Sequence, residues 1–170
     1  TMAPTLKELV DAYLPAETSP AKMAENLPMM LKSLKTARFV MADGSSLSVT
    51  EQMSAMKEQE RDLLFWIKRL NACMHSSDET ERWVGISLLY ETTSHVSLDA
   101  FGAHCLSWTS SAASLLSRDS ASTAIASMNV LQRTLEFSHK DPELRRNLAT
   151  DQLPGIVSSL LATVKGVETG

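Results

Sequence analysis

The chain has no proline between Met29 and Asp141, because its six prolines lie at or before Pro28 or at Pro142 and Pro154. Proline interrupts a helix, so a proline-free stretch of this length permits long helices. The same stretch lacks the alternation of polar with β-branched or aromatic residues that is typical of strands. Apolar residues recur instead every three or four positions. These features predict a protein that is helical throughout.

Capping signals divide the chain into helices of roughly 15 to 20 residues. Ser19-Pro20 is a cap followed by a proline at the first helical position. Pro28 is expected to restart a helix, and Ser48 and Glu51 have the capping-box spacing that opens a long helix ending near Met74. Further start signals are Ser76-Ser77-Asp78-Glu79, Ser97, Ser120 and Asp141-Pro142-Glu143.

The apolar periodicity predicts which side chains face inward. The predicted inward residues are Met56, Leu63, Trp66 or Ile67, Leu70 and Met74 on the long helix, then Trp83, Ile86 and Leu89, then Leu98, Phe101, Cys105, Trp108, Ala112 and Leu115, and finally Ala124, Met128, Leu131 and Leu135. Short polar connections imply antiparallel neighbours, and each pair spans about 40 residues, the length of a HEAT or armadillo unit. We therefore expect an all-α, HEAT/armadillo-like α-solenoid of antiparallel helical pairs, forming one domain over residues 1–170. A helical bundle fits the same pattern.

Net charge, cysteine content and the length of apolar runs restrict the kind of partner and the compartment that we expect. The net charge of −4 argues against broad non-specific binding of phosphates, although a local basic patch and direct RNA contact stay open. Cys73 and Cys105 lie in apolar helical stretches, which predicts buried thiols in a reducing compartment. No apolar run has the roughly 18 residues of a membrane span, so we expect no membrane association.

No pattern in the chain predicts catalysis or a cofactor. There is no Gly-x-Ser-x-Gly nucleophile elbow, no phosphate-binding loop and no dinucleotide glycine pattern. His104 and Cys105 are adjacent on a helix and point about 100° apart, which makes them a poor pair of metal ligands. We therefore expect a non-enzymatic protein without metal or cofactor.

Two groups of residues are candidates for contact with a partner. All methionines except Met128 lie at or before Met74, and soft side chains suit a peptide-binding surface; the candidates are Met29, Met30, Met53 and Met56. The alternative is that these methionines fill gaps in an irregular core. Arg145 and Arg146 lie near the start of a helix, where the dipole disfavours cations. They are either a solvated pair or a contact for an acidic partner or RNA backbone.

Three sequence blocks resemble the Rix-one family of pre-rRNA-processing proteins, in particular its animal branch of proline-, glutamic acid- and leucine-rich proteins. The first block is Arg82-Trp83-x-Gly85-Ile86-x-Leu88-Leu89, and the second is Phe101-x-x-His104-Cys105-x-Ser107-Trp108. The third is Pro142-x-Leu144-x-Arg146-x-Leu148, followed by Leu153-Pro154-Gly155-Ile156 and Ser159-Leu160-Leu161. The close likeness covers about residues 82–161.

The resemblance implies the N-terminal helical-repeat domain of a longer nuclear scaffold that acts in large ribosomal subunit (60S) biogenesis and in removal of an internal spacer from pre-rRNA. It implies a nucleolar and nucleoplasmic location. The implied partners are a WD-repeat propeller subunit, a second helical-repeat subunit, a midasin-type ATPase on the pre-60S particle, a SUMO protease, and a second copy in a homodimer. An alternative keeps the fold but makes the protein a chromatin or transcription adaptor that binds peptide motifs in a helical groove.

Overall fold

The computed structural model describes residues 3–37, 48–152 and 154–157, and every regular element within them is helical. The elements are α1 (Leu6–Tyr13), α2 (Pro20–Leu34), α3 (Val49–Met74), α4 (Glu79–Thr93), α5 (Leu98–Ser114), α6 (Ala121–Ser138), α7 (Pro142–Asn147) and a π-helical turn (Leu148–Gln152). Residues 154–157 are also helical. The predicted all-α class is confirmed, while the expected loop at residues 42–46 lies outside the described residues.

Except at Pro28, the predicted helix starts in the described residues are confirmed at atomic detail. Ser48 and Glu51 form a reciprocal capping box at α3, and Ser19 accepts a hydrogen bond from the Lys22 amide at α2. The other predicted N-caps are Asp78, Ser97, Ser120 and Asp141. These side chains satisfy amides that the first turn of each helix leaves unpaired, except at Ser120, whose hydroxyl makes no such bond.

The prediction that Pro28 restarts a helix is wrong, because Pro28 lies inside the continuous helix α2. Its ring is on the exposed face, whereas Leu27, Met30 and Leu34 are buried on the opposite side. Proline removes one backbone hydrogen bond from a helix interior. Burial of the apolar face on both sides of Pro28 holds α2 together across that missing bond.

The helices stack as antiparallel pairs in two layers. The pairs are α1 with α2, α3 with α4, and α5 with α6. In one layer α4 packs between α2 and α6, and in the other α3 packs between α1 and α5. Residues Leu148–Gln152 contact α5, and α7 contacts α6, at the C-terminal end of the described array. This solenoid-like stacking makes α4 the central element, with buried residues on most of its surface.

A hydrogen bond recurs in two successive pairs. The Trp66 indole nitrogen on α3 donates to the Thr92 hydroxyl on α4 at 2.9 Å, and Trp108 on α5 donates to Thr134 on α6 at 3.3 Å. Each threonine hydroxyl in turn donates to the carbonyl four residues before it. The two bonds lie about 40 residues apart in sequence, the repeat length of HEAT and armadillo units. The pairs α3–α4 and α5–α6 are thus structurally equivalent.

Arginines join neighbouring pairs. The Arg82 guanidinium on α4 makes a bidentate pair with Asp119, with nitrogen–oxygen distances of 2.8 and 2.6 Å, and both side chains are buried. Hydrogen bonding to the Asp119 carboxylate raises the pKa of Arg82. Arg133 on α6 lies 4.2 Å from the centre of the Tyr90 ring and donates to the Tyr90 carbonyl at 2.9 Å. Both contacts fix α4 against the α5–α6 pair.

The face that α6 buries differs from the predicted one. Met128 and Leu135 are 44% and 38% exposed, and Ala124 is only half-buried, although Leu131 is buried as expected. The buried face instead carries the small hydroxyl residues Thr123, Ser127, Thr134 and Ser138. Thr134 and Ser138 donate to carbonyls of their own helix, whereas the hydroxyls of Thr123 and Ser127 have no hydrogen-bond partner among the described residues. The small size of all four side chains lets α4 and α5 pack closely against this face.

The predicted core of α5 is confirmed, except at the first residue of the helix. Phe101, Cys105, Trp108, Ala112 and Leu115 are buried. Leu98 is 67% exposed, because it occupies the first position of the helix and points away from α3 and α6. Cys73 and Cys105 are free buried thiols, as predicted.

None of the helices in the described part of the chain combines the length and the apolar character that crossing a bilayer requires.

Candidate functional site

A groove of about 1030 Å³ lies between the N-terminal halves of α3 and α5. We call it the α3–α5 groove. Its residues are Met56, Lys57, Gln59, Glu60, Arg61, Leu63 and Leu64 on α3, and Ser97, Asp99, Ala100, Ala103 and His104 on or next to α5. The lining mixes apolar side chains with charges of both signs, the usual composition of a surface that binds another polypeptide.

The groove exists because α3 continues its apolar face beyond the core. The first residue that α3 buries is Leu63, so no side chain of residues 49–62 is buried. The helix face that carries the buried Ile67 nevertheless continues through Met56, Met53 and Val49, because these positions are separated by three, four or a whole number of helical turns. The prediction that Met56 faces inward is therefore wrong, since its neighbour helix does not cover it.

The two helices meet at their C-terminal halves and separate toward their N-termini. The Asn71 side-chain amide on α3 donates to the Ser107 carbonyl on α5 at 3.3 Å. Asn71 shares the helix face of Ile67 and Glu60. On this face α3 is thus in contact with α5 at Asn71 and open to the groove at Glu60.

The α5 side of the groove is shallow. Ala100 and Ala103 line it on α5, and small side chains let another backbone approach closely. Phe101 turns the other way, where its ring stacks edge-on against Trp108 and packs on Phe137. The core therefore anchors α5 while leaving its groove side free.

A carboxylate and an imidazole lie in the middle of the groove. Burial lowers the pKa of His104 below its ordinary value, while the charge of Glu60 acts in the opposite direction. In the described residues Glu60 forms no ion pair with a lysine or arginine. The centre of the groove thus places the Glu60 carboxylate near an imidazole whose charged form is disfavoured by burial.

The four candidate methionines occupy three different environments. Met53 and Met56 are 55% and 53% exposed on the uncovered face of α3, and Met56 lines the groove. Met29 is 51% exposed but lies on α2. Met30 is fully buried and fills the core, so the gap-filling alternative describes its position.

Arg145 and Arg146 are exposed in the last turn of the short helix α7. Arg145 borders a second, smaller depression of about 250 Å³ with apolar residues that include Leu135, Leu148 and Ile156. Of the candidate residues, Met56 thus lines the α3–α5 groove and Arg145 lines the smaller depression, so the structure does not bring the two groups together.

The blocks that carry the family resemblance are mainly structural. Arg82 forms the buried ion pair, and a Cβ on Gly85 would lie 2.8 Å from that of Cys73, so only glycine permits the approach of α4 to α3. Trp108 forms the repeated hydrogen bond. Glu60, Leu64 and the two groove alanines were not singled out from the sequence. The only signal for them in the sequence is that the apolar face of α3 continues toward its N-terminus, beyond the part that neighbouring helices bury.

Within residues 3–37, 48–152 and 154–157, no three histidine, cysteine, aspartate or glutamate side chains lie close enough to hold a metal ion together.

Comparison with known proteins gives a consistent result. The model of the RIX1 family, described as rRNA processing/ribosome biogenesis, matches residues 7–169. The mouse (Mus musculus) protein named proline-, glutamic acid- and leucine-rich protein 1 is 34% identical over 88 residues, covering 51% of this chain and 8% of the relative. The Xenopus laevis protein of the same name is 34% identical over 83 residues, covering 48% of this chain and 8% of the relative. The chain thus matches a small part of each relative. No solved structure matches significantly.

Proposed function

Since the chain belongs to the RIX1 family of rRNA-processing and ribosome-biogenesis proteins, we propose that it serves that process as a non-catalytic scaffold in the nucleus. It acts by holding other proteins against a rigid stack of helical pairs. The observation that carries this proposal is the α3–α5 groove, where none of the described residues covers a long apolar face of α3. Exposed contiguous apolar surface of this kind marks protein-interaction sites.

The partners in this proposal are those of the family resemblance. They are a WD-repeat propeller subunit, a second helical-repeat subunit and, on the pre-60S particle, a midasin-type ATPase. A SUMO protease and a second copy of the chain complete the set. The array contributes a surface rather than a reacting group, so its effect on spacer removal is to position the subunits that carry out processing.

The test is purification of the tagged protein from nuclear extract, with wild type compared with a Met53→Glu/Met56→Glu variant. A carboxylate in an apolar contact is costly, so we expect the variant to lose at least one subunit that the wild type recovers. Met128→Glu on α6 is the matched control, because Met128 is similarly exposed and lies away from the groove. Recovery of chromatin factors without pre-60S components would favour the adaptor function instead.

A second readout tests the process itself. Cells depleted of the endogenous protein are complemented with each variant, and the unprocessed internal spacer is measured by hybridisation. We expect spacer precursors to accumulate with the groove variant and not with the control. Normal processing with the groove variant would refute a role for this surface.

A further inference from the structure

The uncovered face of α3 continues an existing helix–helix contact. At Asn71 this face is already in contact with α5, and toward the N-terminus of α3 no described residue buries the same face. Val49, Met53 and Met56 follow one another at spacings of four and three residues, the ridge that a second helix packs against. An occupant lying along this ridge thus meets α3 with the geometry that α5 uses further along the helix.

The α5 side favours an occupant with a regular backbone and bulky apolar side chains. Ala100 and Ala103 give a low wall, so a helix can approach α5 closely while its own side chains fill the space beside Leu63 and Leu64. The groove follows the helix axes from Met56 to Leu64, about two turns of α3. These features are those of helix-in-groove recognition, in which anchor residues are spaced at helical intervals.

Charge specifies the occupant further. Glu60 lies at the centre of the apolar face, between Met56 and Leu64, and makes no ion pair within the described residues. Covering it with a wholly apolar helix would bury a carboxylate without an ion-pair partner, which is unfavourable. A lysine or arginine on the occupant removes that cost. The net charge of −4 on the chain attracts a basic segment in addition.

We propose that the α3–α5 groove binds an amphipathic helix of a partner protein, and that a lysine or arginine within the apolar face of that helix pairs with Glu60. The proposal rests on the proposed scaffold function and names the kind of segment that the scaffold receives. Lys57 and Arg61, at the solvent edge of the groove, face the polar side of the bound helix and favour acidic residues there.

The test uses two synthetic helical peptides, each held helical by a hydrocarbon staple, with leucine anchors and lysine-free polar faces. They differ only at the centre of the apolar face, which carries arginine in one and glutamate in the other. Binding to the purified chain is measured by fluorescence anisotropy. We expect saturable binding of the arginine peptide, at least about tenfold tighter than that of the glutamate peptide, because the pair becomes desolvated on docking.

Charge reversal in the protein locates the contact. Glu60→Lys should reverse the preference between the two peptides. Glu58→Lys is the matched control, because Glu58 is an exposed carboxylate on the same helix that does not line the groove. Both residues are exposed, so circular dichroism should show unchanged helicity in both variants. Reversal by Glu60→Lys alone supports the inference.

Three results would overturn it. The first is the absence of saturable binding by either peptide, and the second is equal binding by both. The third is a change of the free chain from dimer to monomer in sedimentation when Met53→Glu is introduced, which would assign the groove to a second copy. If the peptides fail to bind but pre-60S recovery and spacer processing still depend on the groove, only this inference is refuted. If neither pre-60S recovery nor spacer processing depends on the groove, the proposed function itself is refuted.

Discussion

Trp108 packs in the core and joins α5 to α6. It is fully buried, its ring meets that of Phe101 edge-on at 5.3 Å, and its indole nitrogen donates to Thr134. Edge-to-face geometry and a satisfied N–H add to the burial of a large ring. Its position as a core residue was predictable from the spacing of three and four residues on α5. The bond to Thr134 was not, because nothing in the sequence marks which threonine faces it.

Replacement of Trp108 by alanine is expected to lower the free energy of unfolding by about 3 to 5 kcal/mol, through loss of buried area and formation of a cavity. Trp108→Phe should cost about 1 to 2 kcal/mol, since it keeps a ring but loses the hydrogen bond. Denaturant unfolding measures both. The half-buried Trp83 gives the control Trp83→Ala, for which we expect a smaller loss. A loss below about 1 kcal/mol for Trp108→Ala would contradict the packing described.

The two thiols make stability depend on pH at the alkaline end. Burial raises the pKa of Cys73 and of Cys105 from 9.0 to about 11. Below pH 9 the thiols are protonated in both the folded and the unfolded state, so they have no effect. Between pH 9 and 11 the unfolded chain ionises while the folded chain does not. The free energy of unfolding should therefore fall by up to about 1.4 kcal/mol per thiol for each pH unit.

Comparison of the pH slopes of the wild type and a Cys73→Ala/Cys105→Ala variant isolates this contribution from tyrosine and lysine titration. The variant should show a shallower decline above pH 9. At pH 8 the native thiols should react with a disulfide reagent at least about 100-fold more slowly than in denaturant, because little thiolate is present. Equal slopes, or fast labelling of the native protein, would show that the thiols are accessible.

At the scale of the element, α4 depends on a glycine. Gly85 lies where α4 crosses the end of α3, and a Cβ there would be 2.8 Å from the Cβ of Cys73 and 3.1 Å from the backbone nitrogen of Met74. Backbone cannot move aside as a flexible side chain can. The glycine is therefore needed for close approach and not for a special backbone angle.

Gly85→Ala is expected to destabilise the protein by about 1 to 3 kcal/mol, as overpacking does, in spite of the better helix propensity of alanine. Gly155→Ala is the control, because a Cβ at Gly155 meets nothing within 4 Å. The control should be neutral or slightly stabilising. Thermal unfolding of the two variants tests this prediction. Equal shifts of the melting temperature in both would mean that α4 and α3 adapt to the added methyl group.

The helices also show which features of the fold the local sequence predicts and which it does not. Helix starts could be predicted because caps are local interactions between residues three apart. The inward face of α6 could not, since hydropathy favours Met128 and Leu135 over Thr123 and Ser127. Close packing between helices selects small side chains here, and of these hydroxyls those of Thr134 and Ser138 bond to carbonyls of their own helix. The groove could not be predicted either, because it depends on how far α5 follows α3.

At the scale of the whole molecule, the contacts between pairs decide how cooperatively the array unfolds. A stack of repeats behaves as units with an intrinsic stability and an interface to each neighbour. The Arg82–Asp119 pair belongs to such an interface, with side chains that are 8% and 1% exposed. It lies between the α3–α4 pair and the connection of α5 to α6.

Asp119→Ala should cost about 3 to 5 kcal/mol, because it leaves a buried guanidinium without its partner. It should also broaden the denaturant transition, as the α5–α6 pair loses its coupling to the rest. The exposed pair Lys7–Asp11 gives the control Asp11→Ala, with an expected change within about 0.5 kcal/mol. An equally sharp transition in Asp119→Ala would show that the pairs are coupled through their apolar contacts alone.

The repeated tryptophan–threonine bond has a consequence for how such a chain changes length. Because the same donor and acceptor join α3 to α4 and α5 to α6, each pair carries its own alignment of one helix against the other. A duplicated pair would therefore keep its internal alignment, while its junction with the next pair would still have to supply a contact such as Arg82–Asp119. In this sense the array is modular, because the number of pairs can change while the arrangement of the two helices within a pair stays the same.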